Sequence, residues 1–108
     1  MNIQYKQIVV GDKKLADVYY LDKYKSDSEL YYYHNDNGPA IIFYDDLNRI
    51  TYEYFYFNCK KHNPNDAAIK SYLYSDDSLI PSIVIKTYYF NGEKVECSST
   101  EEYLKIIK

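Results

Sequence analysis

His34-Asn35-Asp36-Asn37-Gly38-Pro39-Ala40-Ile41 is echoed 28 residues later by His62-Asn63-Pro64-Asn65-Asp66-Ala67-Ala68-Ile69. Further along, Tyr56-Phe57-Asn58-Cys59-Lys60 is echoed 33 residues later by Tyr89-Phe90-Asn91-Gly92-Glu93. Repeats of this period mean that one supersecondary unit is used more than once, which constrains architecture before any single residue does. The unit reads as turn, strand, short connection, strand. The offset grows from 28 to 33, so the second copy holds extra residues, best placed in its central turn, Ser75 to Pro81. Hairpin tips tolerate insertion because loop-closure entropy rises slowly with length. An earlier, more degraded copy is expected over Ala16 to Tyr33.

Outward from the repeat, the pattern is strands punctuated by turns. Ile3 to Val10 and Leu15 to Leu21 flank a tight turn at Gly11-Asp12. Asp22 to Ser28 reads as a polar loop, and Glu29 to Tyr33 resumes a strand. Ala40 to Tyr44 pairs with Arg49 to Phe57 through Asp45 to Asn48. Ala67 to Tyr74 pairs with Ser82 to Phe90, and Asn91-Gly92 turns into a short Lys94 to Cys97 strand. In Thr51 to Phe57 the alternation puts Tyr52, Tyr54 and Tyr56 on one face and Glu53, Phe55 and Phe57 on the other. Both faces are then largely aromatic.

Only the end departs from strands. Ser99 and Glu102 form a capping-box pattern, acids occupy the first turn and lysines the last, which predicts a helix over about 99–107. Tyr103, Ile106 and Ile107 would dock it on the sheet. The fold class expected is therefore mainly β, an antiparallel meander of six to eight strands with one C-terminal α-helix. Residues 1–108 are read as a single domain, with hairpin repeats over about 31–61 and 62–96.

Composition narrows the function classes. The chain has 16 Tyr and 4 Phe, no Trp, and a net charge of −3, with Arg49 its one arginine. AT-rich coding accounts for part of the tyrosine excess, but not for its clustering in strands. An acidic surface without clustered Lys and Arg argues against a phosphate-backbone binder. Cys59 and Cys97 fit no metal spacing, and no apolar run suggests a leader or a membrane span, so a cytoplasmic protein with reduced thiols is expected.

His34-x-x-x-Gly38-Pro39-Ala40, an aromatic strand, then Tyr56-Phe57-Asn58-x-Lys60-x-His62 resembles the hairpin repeats of MORN-like proteins, over roughly Tyr31 to Glu96. Such repeats occur in phage and giant-virus proteins and in YwqK-type antitoxin-like proteins. Here Cys59 stands at the expected turn glycine, Asn35 at the expected arginine, and Asp66-Ala67 at the second Gly-Pro. The resemblance implies an open, twisted antiparallel sheet and no catalytic residues.

Candidate chemistry is sparse. His34 and His62 occupy one slot in the two units and are expected to satisfy backbone groups in the turns. A Cys59–His62–Cys97 zinc site lacks the spacing. Asp45-Asp46 and Asp76-Asp77 lie in hairpin turns, where Asp bonds locally. No phosphate loop or nucleophile–base order is present. No catalytic residue, metal or cofactor is therefore expected. The binding surface is expected at Tyr52, Tyr54, Tyr56, Asp76, Asp77 and Tyr88, because Tyr is enriched at interface hot spots and acids steer towards positive partners.

The function expected is non-catalytic protein binding. The concrete form is a phage or mobile-element inhibitor that blocks a basic surface of a larger protein, such as a nucleic-acid-binding host defence nuclease, as anti-CRISPR proteins do. The alternatives are an antitoxin or immunity protein that neutralises a cognate partner, and a single-strand nucleic-acid binder that stacks bases on tyrosines.

Overall fold

The structure, a computed structural model, describes residues 3–21 and 32–108. The expected loop from Asp22 to Ser28 and the start of the Glu29 to Tyr33 strand lie outside the described residues. In chain order the elements are β1 (Ile3–Val10), β2 (Lys13–Leu21), β3 (Tyr32–Tyr33), β4 (Ile41–Tyr44), β5 (Ile50–Tyr54), β6 (Tyr56–Phe57), β7 (Lys60–Lys61), β8 (Ile69–Leu73), β9 (Ile83–Phe90), β10 (Glu93–Val95) and α1 (Thr100–Ile106). The sheet runs β1-β2-β4-β5-β8-β9-β10, all antiparallel, and β3 pairs with the end of β2. This is the expected mainly β meander with one C-terminal helix.

The duplicated sequence is a duplicated structure. His34 Nδ1 accepts the backbone N–H of Asn58 at 2.9 Å, and His62 Nδ1 accepts that of Asn91 at 2.9 Å. Asn35 Nδ2 donates to Pro39 O at 3.0 Å, and Asn63 Nδ2 to Ala67 O at 3.0 Å. Cys59 N–H reaches Tyr33 O, and Gly92 N–H reaches Lys61 O. Both histidines thus satisfy a backbone donor in the next hairpin, as the repeat predicts. Asn58, Cys59, Asn91 and Gly92 all have positive φ, the conformation a two-residue hairpin turn requires.

The described ends of the earlier copy, residues 16–21 and 32–33, follow the same plan. Tyr19 N–H donates to Ala40 O and His34 N–H to Tyr19 O; Phe55 N–H donates to Ala68 O and His62 N–H to Phe55 O. After Tyr19 the chain pairs as β2 with β3, and after Phe55 as β6 with β7. The long Arg49 to Phe57 strand is therefore two pieces. Phe55 leaves the main ladder to bond the neighbouring turn, and β6 with β7 forms a separate small ribbon.

Ala40, Ala67 and Ala68, at the ends of the two turns, are fully buried. The C-terminal core is Ala67, Tyr88 and Tyr103, joined by Phe90, Val95, Cys97, Leu104 and Ile107. Ser99 caps α1 by accepting from Glu102 N, as predicted, while Glu102 reaches back to Ser98 Oγ at 2.7 Å. Tyr103 anchors the helix, its hydroxyl 2.6 Å from Asn63 O. Tyr103 and Ile107 pack as expected, but Ile106 is 52% exposed and Leu104 packs against the core in its place.

Candidate partner-binding face

The register defines the two faces. Ala16, Phe43, Tyr52, Ser71 and Ile85 lie in one row across β2, β4, β5, β8 and β9. Val18, Ile41, Tyr54, Ile69 and Thr87 form the next row on the same face, because side chains alternate along each strand. Between them, Asp17, Ile42, Glu53, Lys70 and Lys86 point to the opposite face.

That opposite face is occupied by its own chemistry. Asp17 accepts from Tyr5 Oη at 2.5 Å and Tyr44 Oη at 2.6 Å, and pairs with Lys14 at 2.9 Å. Burial pushes the Asp17 carboxyl up, but these three partners outweigh it and hold it below the usual carboxylate range. Tyr72 Oη donates to the Glu53 carboxylate, and burial together with that bond pushes its phenol well up. Asp66 pairs with Lys70 at 2.9 Å and Lys86 at 3.3 Å and accepts from Thr100 Oγ1 at 2.7 Å, tying α1 to this side. Each carboxylate is spent on the fold.

The first face is different. Tyr52 and Tyr54 stack with ring centroids 6.0 Å apart, and Phe43 meets both edge-on. Burial, then the neighbouring Tyr52, pushes the Tyr54 phenol up. Ala16 is buried at 1%, whereas Phe43 is 38%, Tyr52 42% and Ile85 52% exposed, with the half-buried Ser71 between the last two. Leu73 and Ile83, opposite one another in the ladder, extend the exposed apolar surface towards the β8–β9 tip. Among the described residues nothing packs over this half of the face.

The tip is the enlarged one that the offsets locate between Ser75 and Pro81, and it presents Leu79 at 82% and Ile80 at 76% exposure. Arg49 holds it in place. Its Nη1 donates to Asp76 O at 2.6 Å and Ser78 O at 2.9 Å, its Nε to Asp45 Oδ2 at 2.9 Å, and its guanidinium lies over the Tyr74 ring. The Asp45 carboxyl also accepts from Leu47 N and Arg49 N, the local bonding expected of a turn aspartate. Asp76 and Asp77 are exposed, and no described residue pairs with either carboxylate.

Four of the six expected binding residues are therefore brought to one surface: Tyr52 and Tyr54 on the face, Asp76 and Asp77 on the adjoining tip. Tyr56 is not among them. The break at Phe55 carries it into the β6–β7 ribbon, where it packs on Tyr33 at 5.1 Å and burial pushes its phenol up. Tyr88 is not among them either. It is 5% exposed beneath Tyr103, and its hydroxyl is 2.8 Å from Thr100 Oγ1. Phe43, Leu73, Leu79, Ile80, Ile83 and Ile85 join the face without having been singled out. The signal was Leu79-Ile80 itself, two aliphatic residues inside a loop with no strand to bury them.

No protein-family model, curated protein or solved structure matches this chain. Among the described residues no helix is long and apolar enough to cross a membrane. Cys59 and Cys97 form no disulfide, and no three His, Cys, Asp or Glu side chains among the described residues gather as metal ligands would.

Proposed function

We propose that this protein is a non-catalytic binding module that lays its open face against a larger protein with a basic, partly apolar surface. The observation that carries the reading is the uncovered, largely apolar row Phe43, Tyr52, Ser71 and Ile85, flanked by Leu73, Ile83 and the Leu79-Ile80 tip. Contiguous exposed apolar surface of this kind marks interaction sites. Tyr52 and Tyr54 supply rigid amphipathic anchors, and Asp76 and Asp77 add negative charge at the rim.

The two rows of this face hold no Lys or Arg, so stacked tyrosines here lack the positive groove that single-strand binding uses. A protein partner accounts for the face better. The concrete form proposed is a cytoplasmic phage or mobile-element inhibitor, with a unit descended from MORN-like repeats, that covers the nucleic-acid channel of a defence nuclease. A plasmid-challenge assay tests it. Expression of the chain should relieve CRISPR interference, and Tyr52→Asp with Ile85→Glu should restore it. Interference untouched by the unaltered chain refutes the nuclease as target.

A further inference from the structure

On the side of the molecule that carries the paired carboxylates, the two copies of the turn enclose a groove of about 530 Å³. It is lined by Asn35 to Gly38 from one copy and Asn63 to Asn65 from the other, with Phe55, Phe57 and His62 between them, and the Lys70 ammonium lies over the Phe55 ring. The walls are stiff. In each, the first asparagine side chain bonds the backbone of its own turn twice, Asn35 to Pro39 O and Asn37 N, Asn63 to Ala67 O and Asn65 N.

The duplication supplies an internal control for what this groove presents. In the first copy His34 Nδ1 accepts from Asn58, so Nε2 carries the proton, and it donates to Asp36 at 2.8 Å. In the second copy His62 Nδ1 accepts from Asn91 in the same way, so its Nε2 also carries a proton. The residue in the slot of Asp36 is now Pro64, which has no acceptor to offer. No described residue accepts from His62 Nε2, and His62 lines the groove whereas His34 does not.

The other polar groups of the groove point to the class of ligand. Lys70 is matched by Asp66, and Asp36 accepts from the neutral His34 imidazole, which leaves its carboxylate charged at the rim and able to accept from a hydroxyl. The carboxamides of Asn37 and Asn65, one from each wall, make no hydrogen bond within the described residues; only their backbone N–H groups are used. An exposed aromatic ring, two side-chain amides that both donate and accept, and one imidazole N–H suit a neutral ligand with one apolar surface and a rim of hydroxyls. We infer that the groove binds a neutral pyranose-type saccharide, whose C–H surface lies towards the exposed Phe57 ring and whose hydroxyls meet His62 Nε2–H, Asn37 and Asn65. The volume is in the range of small-molecule sites. This site is separate from the open face and does not depend on it.

The test is a titration of the isotopically labelled full chain with cellobiose, maltose, lactose and N,N′-diacetylchitobiose, followed by two-dimensional NMR. At least one should shift the Asn37 and Asn65 carboxamide signals and the His62 imidazole together. Asn65→Ala removes a carboxamide that the fold does not use and should weaken binding by about tenfold, the worth of one hydrogen bond. Pro64→Asp rebuilds the first copy in the second, giving His62 Nε2 an internal acceptor, and should abolish binding while the backbone spectrum stays folded. No shift with any of the four saccharides overturns the inference, as does binding unchanged in both variants.

Discussion

His62 Nδ1 accepts the backbone N–H of Asn91 at 2.9 Å, a bond that joins the entry of one hairpin unit to the turn that ends it. The same bond from His34 to Asn58 makes imidazole-to-turn capping the structural constant of the repeat. A continuous ring contact accompanies it, His34 on Phe57, Phe57 on His62 and His62 on Phe90.

Removing either imidazole should therefore unseat a turn. His34→Ala, at a site 6% exposed, is expected to cost about 1–3 kcal/mol, the range for a stranded backbone donor and a lost ring contact. Burial lowers the pKa of His62 from its ordinary 6.5. Protonation thus opposes folding: the contribution is complete above pH 6.5 and fades as pH falls below it towards the folded value. Urea unfolding at pH 7.5 and 5.5 should show this loss in the unaltered chain and a smaller one in His62→Gln.

Cys59 stands at φ 64°, where the second copy has Gly92 at φ 87°. A side chain in this region costs about 1 kcal/mol. Cys59→Gly should raise stability by up to about 1 kcal/mol, with glycine's greater freedom in the unfolded chain offsetting part of the gain. Thermal unfolding checks the sign.

Asp66 is the bolt between sheet and helix. Burial pushes its carboxyl up, but the Thr100 hydroxyl, Lys70 and the Ala67 N–H together hold it well below its ordinary 3.8. The stabilisation is present above pH 3.8 and is lost as pH falls below it. Asp66→Ala should cost about 1–3 kcal/mol, since it removes the Thr100 hydroxyl's link to the sheet turn and leaves Lys70 and Lys86 without their carboxylate. Hydrogen exchange should report this first in α1.

The enlarged tip hangs on Arg49, which spans Asp45 and two tip carbonyls with its planar fork. Lysine keeps the charge but cannot reproduce the fork. Arg49→Lys should leave global stability within about 1 kcal/mol while the amides of Ser78 and Ile80 exchange faster.

What could be read in the sequence follows the range of the interactions involved. The turns at Gly38, Asn58 and Asn91 and the Ser99 cap rest on local chemistry, and each lies where the residues put it. The enlarged tip was legible because two offsets disagreed. Tyr56 was misplaced because the break at Phe55 is made by bonds to Ala68 and His62, distant groups that alternation ignores. Tyr88 was misplaced for a related reason: with aromatics on both faces of a strand, period alone cannot say which face the helix covers. The open face needed the register, since Phe43, Tyr52, Ser71 and Ile85 become neighbours only when four strands are aligned.

Site-specific photo-crosslinking tests that face most directly. A benzophenone side chain placed at Tyr52, Ile85 or Glu101 samples the face twice and the far helix once. In cells of the native host, irradiation should yield one discrete protein adduct shared by the Tyr52 and Ile85 positions and none from Glu101. An adduct from Glu101 with none from the other two would contradict a partner-binding face built on Phe43, Tyr52 and Ile85.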